Sequence, residues 1–306
     1  MSVALLFPGQ GTQHVAMLPW LESSQDAAPL LDEMAGVLGN DWRARLANAG
    51  WAQSNAVAQP LVTGTSLAAW AALASGLPRV VAVAGYSVGE LASCVAAGML
   101  SANEAIALSA RRAAAMDACA GEVAAGLLGL SNVDAADVAA ACARWNLEVA
   151  IRTGERRCIV GGSTSALAEA AAHLAALGAK ATPLGVRVAS HTRAMRAAVP
   201  ALAQAFADAR WQAARVAWVA GITGAVVRDV VEVQRLLAEQ VATTVLWDSC
   251  MDTIAERRPD AVLEVGPGDT LARLWRERHP AIPVRSCDEF ASVAQVLAWV
   301  GETSAR

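Results

Sequence analysis

The chain lacks the marks of a nucleic-acid binder, a membrane span and a metal site. Only 17% of its 306 residues are charged, the net charge is −4, and no block of like charges occurs. A nucleic-acid partner is therefore not expected, and a small acidic ligand would need a local cation. No apolar run reaches the ~18–20 residues that cross a bilayer. Met1 to Gln10 lack a basic start and a small-residue cleavage site, so they read as a strand rather than a signal peptide. The cysteines (Cys94, Cys119, Cys142, Cys158, Cys250, Cys287) are scattered with no Cys-x-x-Cys, which suggests buried thiols in a reducing cytoplasm. The four histidines are equally dispersed and offer no metal-ligand spacing. Solenoid repeats and low-complexity linkers are missing as well.

What is present is an apolar chain, 55% hydrophobic, long enough for one large domain with an insertion or for two domains. Short apolar strands alternate with helices. Val3 to Phe7 precedes a glycine-rich turn, Pro60 to Ala74 is helical, Val80 to Ala84 is a strand, and Ala261 to Val265 ends at Gly266-Pro267-Gly268. That alternation predicts a mostly parallel sheet covered on both faces. The middle differs, with strands expected at Glu122–Leu130, Leu147–Ile151, Cys158–Gly161 and Ala179–Leu184 and helices at Val133–Arg144 and Thr164–Leu177. The order βαββαβ is ferredoxin-like. The fold expected is α/β, with a parallel-sheet, α/β-hydrolase-like body over residues 1–121 and 188–306 and an inserted ferredoxin-like subdomain over 122–187.

The strongest local signal is Gly85-Tyr86-Ser87-Val88-Gly89, between an apolar strand and the helix-like Glu90-Leu91-Ala92-Ser93. A Gly-x-Ser-x-Gly turn in that setting lifts one hydroxyl out of the backbone as a nucleophile, and bulkier residues at the glycines would collide with neighbouring backbone. It points to acyl transfer through a serine ester. A base is needed, and position alone leaves His191 and His14 open; His173 and His279 look like surface residues. Ser101-Ala102-Asn103-Glu104 is a capping box opening a helix. On that helix Arg112 shares the apolar stripe of Ala105, Leu108, Ala115 and Met116, whereas Arg111 lies nearer Glu104 and Ala107. A core-facing arginine needs an anionic partner, unless it snorkels to water, and a carboxylate gripped by two hydrogen bonds would serve.

The chain resembles bacterial malonyl-CoA:acyl carrier protein transacylases over nearly its whole length. The resemblance is carried by Phe7-Pro8-Gly9-Gln10-Gly11-Thr12-Gln13, Gln59-Pro60, Gly85 to Glu90, Arg112, Ser190-His191 and Glu264-Val265-Gly266-Pro267-Gly268. It implies Ser87 as the acylated residue, His191 as the general base, and the backbone N–H groups of Gln10 and Val88 as the oxyanion hole. It further implies that a backbone carbonyl orients the histidine, which the segment Thr243 to Trp247 assigns to Leu246. Arg112 would hold the malonyl carboxylate, with Gln59 and Tyr86 beside the substrate. No bound cofactor is implied; malonyl-CoA is the donor and a carrier-protein thiol the acceptor. Tyr86 stands where the family has histidine, and Ala150 to Gly154 replaces an Asn-x-Asn-Ser-Pro-like stretch. Gly-Tyr-Ser-Val-Gly-Glu-Leu is similar to the epsilon (transacylase) subunit of bacterial malonate decarboxylase, which implies that enzyme's carrier subunit as acceptor. The alternatives are a transacylase of fatty-acid or polyketide synthesis, a serine esterase or thioesterase, and a non-enzymatic docking subunit.

Overall fold

The computed structural model describes residues 2–119 and 123–303. The first sheet is built from β1 (Ser2–Phe7), β2 (Arg79–Gly85), β7 (Ala217–Val219), β8 (Val226–Val227), β10 (Ala261–Glu264) and β11 (Val284–Ser286); the second takes β3 (Ala125–Ser131), β4 (Glu148–Gly154), β5 (Arg157–Ser163), β6 (Lys180–Pro183) and β9 (Val245–Leu246). The first runs β11-β10-β1-β2-β7-β8, parallel throughout except for the β7–β8 pair. In β1, Val3, Leu5 and Phe7 face one core while Ala4 and Leu6 face the other. This is the period-2 alternation of a strand whose two faces are both covered.

The helix Asn55–Ala74 begins before Pro60, which lies inside it. By length and composition it could cross a membrane, yet 83% of its apolar window is buried within the protein. It is a core helix, apolar on nearly every side because nearly every side is packed.

The second sheet runs β6-β3-β5-β4-β9. Its β3, β5, β4 and β6 pair antiparallel, with the helices Ala135–Trp145 and Thr164–Ala176 closing a separate core around Leu128, Val138, Val160 and Leu174. The expected strand start at Glu122, like the boundary at 121/122 and Met1, lies outside the described residues. The edge strand β9 comes from the other part of the chain and pairs parallel with β4, Ile151 opposite Val245. Thr244 Oγ1 donates to the Val149 carbonyl at 2.7 Å, and Arg152 meets Asp248 at 2.9 Å along the same seam. Two residues are too few for a hydrophobic period, so nothing in the sequence marks β9. All six cysteines are free thiols, with Cys94, Cys158, Cys250 and Cys287 buried.

Candidate active site

β2 ends at Gly85, the chain reverses at Ser87, and a helix runs from Gly89 to Ala96. Ser87 has φ +57°, a left-handed conformation that an L-residue adopts at a cost of about 1–3 kcal/mol. A Cβ on Gly85 would lie 2.1 Å from the Glu90 nitrogen, and one on Gly89 2.3 Å from the Phe7 carbonyl oxygen. Both glycines are therefore demanded by backbone approaching backbone. Gly9, from the loop after β1, packs against Tyr86 in the same way. In the Gly266-Pro267-Gly268 turn, Gly266 abuts Pro8 and Gly268 abuts Thr12, so the turn packs against the loop after β1.

Ser87 Oγ lies 2.8 Å from His191 Nε2. His191 Nδ1 lies 2.8 Å from the Gln240 carbonyl oxygen. A carbonyl can only accept, so Nδ1 carries the hydrogen and Nε2 presents its lone pair to the serine hydroxyl. Burial, reinforced by the Arg112 charge, pushes the imidazole pKa down to about 3, which keeps it neutral. His191 also has positive φ, +62°, and its backbone N–H donates to the Val241 carbonyl at 2.6 Å. The competing candidate, His14, pairs with Asp288 at 2.7 Å and is half exposed. His173 packs on Trp145, and His279 on Trp275.

The orienting carbonyl belongs to Gln240, not Leu246. Leu246 is drawn into β9, where its N–H donates to the Gly221 carbonyl at 2.7 Å. The helix Val230–Glu239 instead runs into a 3-10 turn at Gln240–Ala242. The carbonyls at this helix end meet His191: that of Gln240, which also accepts the Thr243 N–H at 3.3 Å, takes the ring Nδ1–H, and that of Val241 takes the backbone N–H.

Arg112 is only 2% exposed. Its Nη1 donates to Gln59 Oε1 at 2.8 Å; its Nη2 donates to Gln240 Oε1 at 2.8 Å and to Ser87 Oγ at 3.3 Å. Burial lowers its pKa to about 10, opposed by the charge of Glu90, so it stays a cation at neutral pH. Arg111 points outward to Asp208 at 3.8 Å. Gln59 is fully buried and its other end reaches Met116 Sδ at 3.4 Å. It therefore holds the arginine rather than presenting a free group to a substrate. The Tyr86 ring stands edge-on to Trp247, with centroids 5.2 Å apart, and burial raises the phenol pKa.

Two residues here had not been given a site role from sequence. Glu90, buried behind the elbow, accepts the Gly221 N–H and a Gln240 Nε2 hydrogen. Burial pushes its pKa up to about 8, against those hydrogen bonds and the Arg112 charge. A lone carboxylate in the otherwise uncharged helix Gly-Glu-Leu-Ala-Ser-Cys-Val-Ala was the available signal. Gln240 carried none, because it meets Ser87 across 153 positions.

The backbone N–H groups of Gln10 and Val88 have no hydrogen-bond acceptor among the described residues. The Gln10 side chain is anchored to Asn55, and Asn55 to Asp117. Two hollows lie against segments that carry site residues, and neither is lined by Ser87, His191 or Arg112 themselves. One, about 630 Å³, lies between the second sheet and the residues beside His191, including Val188, Ala189, Thr192 and Arg187. The other, about 190 Å³, is lined by Gln10, Gln53, Ala58 and Val186.

A hydroxyl on a strained elbow, a neutral imidazole and a buried cation at the hydroxyl, on a two-sheet α/β scaffold, define an acyl-transferring class of protein. A model of the acyl transferase domain matches residues 4–293, and the chain belongs to that family. It is 32% identical over 302 residues to the malonyl CoA-acyl carrier protein transacylase of Mycobacterium tuberculosis, covering 96% of this chain and 99% of that one. The crystal structure of MCAT from Mycobacterium tuberculosis superposes with a TM-score of 0.88 at 30% identity, covering 97% and 100% of the two chains. An acyl-carrier-protein S-malonyltransferase from Burkholderia pseudomallei gives a TM-score of 0.89 at 28% identity, with 97% and 100% coverage.

Proposed function

We propose that this protein is a malonyl-CoA:acyl carrier protein S-malonyltransferase that works through a malonyl ester on Ser87. The observation that carries the reading is the placement of a buried, charged Arg112 at hydrogen-bond distance from a serine hydroxyl already engaged by His191. Of the five guanidinium N–H groups, three have acceptors, and one of these is the Ser87 oxygen. Acylation of that oxygen releases its share of Nη2. Nη1 and Nη2 then each offer one hydrogen, side by side, to a carboxylate at the far end of the acyl group.

His191 Nε2 takes the Ser87 proton as Oγ attacks the thioester carbonyl. The developing oxyanion is received by the N–H groups of Val88 and Gln10; losing one such donor typically costs about 3–4 kcal/mol. The C–S bond breaks, His191 returns the proton to the departing CoA sulfur, and malonyl-Ser87 remains. A carrier thiol then gives its proton to His191 and attacks the ester. Ser87 leaves with that proton, and the malonyl group departs as a new thioester. No bound cofactor enters the cycle.

The acceptor we favour is an acyl carrier protein of fatty-acid or polyketide synthesis: the relatives named above act, by their names, on acyl carrier protein, and a further relative, 30% identical over 281 residues, is a polyketide synthase of Streptomyces halstedii. The malonate decarboxylase carrier rests on Gly-Tyr-Ser-Val-Gly-Glu-Leu alone. We read the body as α/β-hydrolase-like, from its elbow at the end of a central parallel strand. We read the inserted part as ferredoxin-like, from its β6-β3-β5-β4 order. A reducing cytoplasm suits the free thiols.

Malonyl-CoA alone is expected to give an adduct of one malonyl group by intact mass, absent in Ser87→Ala. Prompt release of free malonate without a thiol acceptor would instead make the protein a hydrolase, and failure of the pure chain to acylate would make it a docking subunit. Transfer rates to the two kinds of carrier decide the acceptor.

A further inference from the structure

Gln240 enters the site by three routes. Its carbonyl oxygen holds His191, its Oε1 accepts from Arg112, and its Nε2 donates to the Ser87 carbonyl at 3.0 Å and to Glu90. The residue is 1% exposed, so bulk water cannot take over any of these bonds. The amide has one permitted orientation. The Ser87 carbonyl can only accept and the Arg112 guanidinium can only donate, so a flipped amide would set donor against donor and acceptor against acceptor. Glu90 reinforces this, since its carboxyl is itself held by the Gly221 N–H.

We propose that the Gln240 side chain, backed by Glu90, is the positioning residue for acyl selectivity: it sets where Arg112 presents its guanidinium beside Ser87. The inference rests on the reading of Arg112 as the malonyl-binding cation. One residue then aligns the base with its main chain and the acyl-reading cation with its side chain. The turn Gln240–Ala242 ties catalytic competence to substrate choice.

The test uses the full chain with Gln240→Met, which keeps the carbonyl and most of the volume, and Gln240→Glu, which keeps the shape but would place a carboxylate on Arg112. Acylation rates and KM for malonyl-CoA and acetyl-CoA are measured by quenched intact mass, with thermal melts to establish folding. Both variants are expected to lower the malonyl-to-acetyl ratio of kcat/KM by about tenfold or more, with a raised KM for malonyl-CoA. Equal losses for both donors, or an unchanged ratio, would overturn the proposal. Should Gln240→Met fail to fold, the isosteric Gln240→Glu carries the decision. Two controls keep the underlying reading separate: wild-type protein must acylate at Ser87, and Arg112→Ala must itself lower the ratio. If either control fails, the function assignment is wrong whatever Gln240 does.

Discussion

Replacing Arg112 by alanine removes the cation from a site built around it. The two charge-assisted bonds proposed for the malonyl carboxylate would be lost, each worth about 1.5–3 kcal/mol. The loss of about 3–6 kcal/mol corresponds to about 10²–10⁴ in kcat/KM for malonyl-CoA. Acetyl-CoA never makes those bonds, so its rate is expected to fall far less and discrimination to collapse. A second signature comes from His191. The Arg112 charge helps to hold the imidazole near pKa 3. Without it the pKa rises, although burial continues to keep it below its ordinary value. The base works only when neutral, so activity is lost as pH falls through its pKa. The acid limb of acetyl transfer is therefore expected to move to higher pH in the variant, while the wild type stays flat to well below pH 5. Quenched-flow acylation between pH 4.5 and 8 with both donors reads the two effects together. Unchanged donor preference would show that another cation reads the carboxylate; an unmoved acid limb would show that Arg112 does not bear on His191.

Further outcomes are expected. His191→Ala should slow acylation of Ser87 by about 10²–10⁴ with the fold intact by circular dichroism, and a near-normal rate would reassign the base. Gly89→Ala forces a methyl to within 2.3 Å of the Phe7 carbonyl oxygen, so unfolding in urea should reveal a loss of about 1–3 kcal/mol or more; a neutral result would mean that the elbow is loosely packed. Burial raises the Glu264 pKa from its ordinary 4.5 to about 8. The folded state then holds that proton more tightly, so its contribution is full below about pH 4.5 and fades as pH climbs through 8. Glu264→Gln should accordingly gain in Tm relative to wild type between pH 5 and pH 8, and a constant offset would contradict the shift.

The elbow was readable because it is local: strand, two obligatory glycines, serine and helix all lie within the continuous stretch Arg79–Ala96. The Arg112 stripe was readable for the same reason, since helical period alone separates it from Arg111. His191 was not, because its meeting with Ser87 spans 104 positions; residue pattern left it level with His14, and only resemblance favoured it. The orienting carbonyl was misplaced at Leu246 because a backbone group leaves no trace in side-chain identity. What selects Gln240 is the end of a helix, not a motif. Gln59 was recognisable as part of a motif, but its task of holding the arginine became visible only with both its amide ends occupied.

The short strand Val245–Leu246 has a mechanical meaning. It sits a few residues beyond Gln240 yet is stitched to Ile151 and Arg152 on the far sheet. The second sheet and the turn that holds the imidazole are thereby joined through one short covalent segment, whose limited reach keeps them from shifting far independently.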